Sequence, residues 1–190
     1  MTYNERINEL NQRIDAAANE LQSHFYFAES DQMHQTLNRG WSAVEELEYA
    51  NLRCYQYLDM LKKSSKKGSV PSDTASHSIG FFARYAIKKE ARRLDEDKLP
   101  TEFIPVSRRD NPEPVRIKEQ KVFSDLLDLF DAWRTILKSG RESEDLRAVK
   151  LRGGFLNLFS LDALEVIALS LEIVTNQMQV AISAVSKKEI

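Results

Sequence analysis

From residue 2 onward the chain alternates apolar and polar positions with the period of a helix. Ile7, Leu10, Ile14, Ala17, Leu21 and Phe25 recur every three or four residues, which makes one apolar stripe. Thr2 and Glu5 have the spacing of a capping box, in which each side chain satisfies the other residue's orphan amide. The pattern breaks over 29–40. It resumes with a second S-x-x-E box at Ser42 and Glu45, directly after Trp41. A hydrophobic staple would need an apolar residue where Glu46 stands, so Trp41 is expected to bury against a neighbouring helix. Val44, Leu47, Cys54, Leu58 and Leu61 then point inward, until "KKSSKKGSVPSD" gives a basic linker over about 62–75.

A third helix is expected over 76–95, with Ile79, Phe82 and Ala86 on one side and Lys88, Lys89, Arg92 and Arg93 on the other. The stretch from about 98 to 118 holds four of the five prolines and reads as an irregular crossover, of the kind found in bundles whose helices do not simply alternate. The next helix runs over 119–139 with Phe123, Leu126, Leu127, Phe130, Trp133 and Leu137 facing the core, and Gly140 is expected as its C′ residue. A short helical piece over 142–150 follows. The final helix starts at Ser160, favoured by Asp162 in its first turn. It carries an apolar face of Leu164, Ile167, Leu171, Val174, Met178 and Ile182. Asp162, Glu165, Glu172, Asn176 and Gln179 form a polar stripe that reads as a solvated face. With no internal repeat and no credible strand pairing, the reading is an all-α fold in a single domain over 1–190.

Composition narrows the function classes. A chain of 190 residues, 42% hydrophobic and 29% charged, is an ordinary globular domain. Its single cysteine excludes an internal disulfide and a multi-cysteine zinc site, which suits a reducing, cytoplasmic setting. The first twenty residues are not those of a secretory signal, and Leu161 to Val185 carries three acids that a membrane span rarely tolerates. A net charge of −2 gives no general pull toward nucleic acid or a membrane surface.

"GWSAVEEL" opening the second long helix, with "LRGGFLNLFSLDALEVIALSLEIVTNQMQVAI" closing the chain, resembles the DinB/YfiT-like superfamily. The sharp part is Trp41, Ser42 and Glu45, together with a leucine-rich lead-in to a glutamine-bearing last helix. The resemblance implies an up-down-down-up four-helix bundle, often dimeric. It also implies a divalent metal held by three histidines, one from the second helix and two a turn apart on the last. Relatives of that kind are thiol transferases and metal-dependent hydrolases. Carried onto this chain, the first ligand position is Tyr49. The final-helix pair falls on Ser170 and Val174 if Gln177 is the anchor, or on Glu172 and Asn176 if the anchor is Gln179. No histidine follows His77, so the imidazole triad is absent in either register. Ser170 and Val174 lie nearer the apolar face, and that register is preferred. A new site pairing a buried Glu172 with Tyr49 is the opposing possibility.

The remaining chemistry is sparse. His24, His34 and His77 lack ligand spacing, and Cys54 reads as a small core residue. Lys62, Lys63, Lys66 and Lys67 with Lys88, Lys89, Arg92 and Arg93 read as solvated, and no aromatic interleaving suggests base stacking. The sequence contains no P-loop, G-x-G-x-x-G or nucleophile elbow. The expectation is a bundle with no catalytic residues and no cofactor, serving as a small-molecule-binding or interaction module, and a homodimer through its apolar last helix. The alternative is a transferase or hydrolase, either metal-free or using a divalent metal such as Zn or Ni on substituted ligands.

Overall fold

The computed structural model describes residues 1–34, 42–64, 79–81, 83–85, 87–88, 118–142, 145–148, 151 and 159–186. Among these residues the chain is mostly helical and has no strand. The helices are α1 (Tyr3–Phe27), α2 (Ser30–His34), α3 (Ala43–Ser64), α4 (Glu119–Glu142) and α5 (Ser160–Ser186). Trp41, His77, residues 65–75 of the expected linker and 98–117 of the crossover lie outside the described residues, while 62–64, expected in the linker, continue α3. Of the helix expected over 76–95, residues 81, 83–85 and 87–88 are helical.

Both capping boxes form. Glu5 N–H donates to Thr2 Oγ1 at 3.2 Å and Thr2 N–H donates to Glu5 Oε2 at 2.7 Å. At α3 the Ser42 N–H donates to Glu45 Oε2 at 2.7 Å and the Glu45 N–H donates to Ser42 Oγ at 3.4 Å. α2 occupies part of the segment where the helical period lapses. A single residue, Met33, is buried there, too little to show as periodicity.

Residue pairs fix how the helices run. α1 and α4 are antiparallel: Phe25 stacks on Phe123, Asp15 pairs with Arg134, and Tyr3 reaches Gly140. α3 and α4 are parallel, joined by Asn51 to Val122 and Tyr55 to Asp125. α1 and α5 are also parallel, joined by Arg6 to Glu165 and Arg13 to Glu172. α3 packs on α5 and therefore runs against it, while α2 sits on both α3 and α5.

The expected inward stripes of α1, α3 and α4 are buried, Phe25 and Leu127 only partly, and Trp133, Tyr3 and Phe130 are the largest fully buried side chains. Burying a large apolar side chain of this sort stabilises by about 1.5–3 kcal/mol.

Three local expectations change. α4 runs on to Glu142, so Gly140 lies inside the helix rather than after it. It is glycine because of close approach. A Cβ there would lie 2.6 Å from Leu146 Cδ1 and 3.1 Å from Ile7 Cδ1. The short helix expected over 142–150 is a turn at 146–148, anchored by Leu146 N–H donating to Tyr3 Oη at 3.2 Å and by Leu161 N–H donating to the Leu146 carbonyl. Finally, α5 is buried on every side from Ser160 to Leu171 within one chain. Its apolar density there is used internally, which removes the ground on which a dimer was expected from that stretch.

Candidate functional site

The polar stripe of α5 is solvated only at its far end, where Asn176 and Gln179 are exposed. Asp162 is 1% exposed and Glu165 6% exposed, and α1 lays two arginines along Glu165 and Glu172. Arg13 makes a bidentate clamp on Glu172, with Nε to Oε1 at 2.6 Å and Nη2 to Oε2 at 2.9 Å. Its Nη1 also donates to Glu165 Oε1 at 2.7 Å. Arg6 donates to the other Glu165 oxygen and, at 2.7 Å, to Glu9. Bidentate, charge-assisted pairs are the strong class of hydrogen bond. Glu172 and then Glu165 hold the Arg13 guanidinium well above its usual value, so it stays charged at every pH the fold survives. The sequence carried a signal for this seam. Arg6 and Arg13 are seven apart on α1, and Glu165 and Glu172 are seven apart on α5, so two parallel helices bring them together in register.

Near the start of α5, Gly80 N–H donates to Asp162 Oδ2 at 3.3 Å, and the neighbouring Ala83 is buried. The polar groups further along α5 are turned inward on their own helix. Ser170 Oγ donates to the Val166 carbonyl and Thr175 Oγ1 to the Leu171 carbonyl, each at 2.9 Å, the back-bonding that satisfies a buried hydroxyl. Val174 is buried and Asn176 exposed. The Gln177 side chain lies outside the described residues.

Tyr49 is 7% exposed, two turns into α3. Its height follows from the pairs already given. Asn51 bonds Val122, which adjoins Phe123, and Phe123 stacks on Phe25. Arg13, opposite Glu172, is twelve residues before Phe25 on α1. At 1.5 Å per residue that is about 18 Å. Tyr49 therefore stands nearly 20 Å further along the bundle than Glu172, level with the last turn of α5. The structure does not bring it together with Ser170 and Val174, nor with Glu172 and Asn176.

What does gather at the Tyr49 end is α2, the start of α4 and the aromatic end of α1. Ser30 Oγ and His34 Nε2 both meet Glu119 Oε1 at 2.6 Å. The carboxylate is the centre of this trio, so it ties α2 to α4 and does not have the Ser–His–acid order of a nucleophilic triad. Phe25 lies flat on Phe123, with ring centroids 3.9 Å apart, while Tyr26 and Phe27 are 74% and 84% exposed. His24 Nε2 lies 3.5 Å from Glu20. Cys54 is fully buried, and Lys62 and Lys88 are exposed. The other lysine and arginine side chains of the basic stretches lie outside the described residues.

Among the described residues no three His, Cys, Asp or Glu side chains come together as a metal-holding group, and no helix is long and apolar enough to cross a membrane. The chain matches no protein family, no curated protein and no solved structure.

Proposed function

We propose that this chain is a DinB-like up-down-down-up four-helix bundle that works as a small-molecule-binding or protein-interaction module, without the metal chemistry of that superfamily. The pairwise helix directions support the layout. Relative to α1, α3 and α4 point the other way and α5 the same way. The observation that carries the functional reading is the state of Glu172. It is the one carboxylate at either ligand register, and both its oxygens are already bound by Arg13. A metal would have to displace a bidentate guanidinium to reach it. Tyr49 and Ser170 are poor donors for a divalent ion, and Val174 is none. The reading as a metal-dependent transferase or hydrolase requires that displacement.

The binding end is the one near Tyr49, where the exposed ring of Tyr26 adjoins the stacked Phe25 and Phe123 and Phe27 is exposed beside it in the chain. Such rings suit an apolar small molecule, or a second copy of the chain in a homodimer.

Metal analysis of protein purified without a histidine tag tests the proposal. Zinc, nickel and manganese each well below one per chain are expected, unchanged in Tyr49→Phe and Glu172→Ala. Stoichiometric metal that either substitution removes overturns it.

A further inference from the structure

Between α3 and α4 one buried amide is half satisfied. Asn51 is 2% exposed, and its Nδ2 donates to the Val122 carbonyl at 2.8 Å. Its Oδ1 is buried and accepts from nothing. A desolvated acceptor without a donor is a standing penalty on the folded state. Glu48 stands three residues earlier on the same helix, within side-chain reach and half-buried. When ionised, a carboxylate only accepts and has nothing to offer Oδ1; when protonated it has one O–H to give.

We propose that Glu48 and Asn51 are a proton-operated catch at the α3–α4 contact. Glu48 takes a proton from solvent, its new O–H donates to Asn51 Oδ1, and its carbonyl oxygen accepts the second Nδ2 hydrogen. The acid and the amide then close a ring. Both donors and the acceptor of Asn51 are used, and the tie to Val122 is kept.

The surroundings shift Glu48 toward the protonated form relative to a free carboxyl. Burial first, then the Asp125 charge, holds the Glu48 carboxyl above the usual carboxylate range, while Asn51 and Lys121 pull it down. Lys121 is itself engaged by Asp125 at 2.7 Å. Among the described residues the charges acting on Glu48 come from α4, with none from α2 or α5. Asp128 of α4 and Glu48 both act on Tyr55, two turns further along α3. Because the folded value for Glu48 exceeds the unfolded one, the folded chain binds more protons there. Its contribution is fully present below the unfolded value and is lost as pH rises through the folded one.

Thermal unfolding from pH 4.5 to 7.5 of the intact chain, Glu48→Gln and Glu48→Ala tests the catch. Glutamine carries a permanent N–H donor for Oδ1, and alanine removes the charge without supplying a donor. Glu48→Gln is expected to melt about 2–4 °C above the intact chain at pH 7.5, a shift that a single interaction gives a chain of this size. That gap should close toward pH 4.5, and Glu48→Ala should stay below Glu48→Gln throughout. Equal melting of the two variants would mean that only relief from Asp125 matters, and would overturn the catch. A rise in melting temperature with magnesium that Glu48→Gln abolishes would overturn it too, since a cation would then be the missing partner of Oδ1.

Discussion

Replacing Arg13 with methionine keeps the length and apolar body of the side chain and removes the charge that joins α1 to α5. Three hydrogen bonds of 2.6–2.9 Å disappear with it. Glu165, whose side chain is 8% exposed, keeps Arg6, whereas Glu172, at 24%, loses the one cation its ion pairs record. Exposed ion pairs are worth about 0–1 kcal/mol. Stripping one partner from a buried pair costs about 3–5 kcal/mol, because the remaining charge is left desolvated. With side chains 8–24% exposed the seam falls between these limits, and a loss of about 2–3 kcal/mol is expected for Arg13→Met. Urea unfolding followed by far-UV circular dichroism measures it. Glu172→Met alone should cost less, since Arg13 retains Glu165. The double variant should be more stable than the sum of the two losses implies, because its second substitution removes an orphaned charge and leaves two apolar side chains in contact. A loss below about 0.5 kcal/mol for Arg13→Met, the size usual for a plain surface site, would refute the seam as a structural element. Strict additivity in the double variant would refute the pairing.

Gly140→Ala gains about 1 kcal/mol of helix propensity but drives a Cβ to 2.6 Å from Leu146 Cδ1, and overpacking of that sort costs about 1–3 kcal/mol. A net loss of about 1 kcal/mol is expected by the same urea assay, and relief in Gly140→Ala/Leu146→Ala would identify the clash as its cause. Tyr3→Phe leaves the buried Leu146 N–H and the Gly140 carbonyl short of a partner, so a loss of about 1–3 kcal/mol should follow in thermal unfolding. Burial, followed by the Asp125 charge, raises the Tyr55 phenol above its ordinary value. The folded chain therefore holds that proton longer, and the stability it contributes is lost as pH rises through the folded value. Tyr55→Phe should flatten the alkaline limb of the melting profile between pH 9 and 11 without moving it at pH 7.

The helices were legible in this sequence because their signals are local. Capping boxes at Thr2 and Ser42 and three-and-four stripes need no knowledge of a partner. What the sequence hid was set by other helices. The row of Asp162, Glu165 and Glu172 has the composition of a solvated face, and it is α1, at Glu165 and Glu172, and Gly80, at Asp162, that meet it. Gly140 sits where a helix stop would, yet the reason for glycine is Leu146 and Ile7 arriving from elsewhere. The ion-pair seam was half visible, as equal seven-residue spacings on two helices, but matching them required knowing that the two run parallel.

Helix direction also decides where the ligand positions of the resemblance fall. In an alignment Tyr49 and Ser170 are simply two columns, and nothing in either column says how far along the bundle the other lies. The pairs Asn51–Val122, Phe25–Phe123 and Arg13–Glu172 supply that distance and put the two more than about 20 Å apart. Imidazoles at both places would span far more than the roughly 4 Å that separates two nitrogens on one ion, each bound at about 2 Å. The positions that the resemblance assigns to the ligands therefore do not meet around one ion in this fold. A ligand bound at the Tyr49 end, as proposed, is met by α2 and the start of α4. Substitutions at Tyr49 and Met33 should then perturb binding together, while Ser170→Ala should leave it unchanged and affect only the packing of α5.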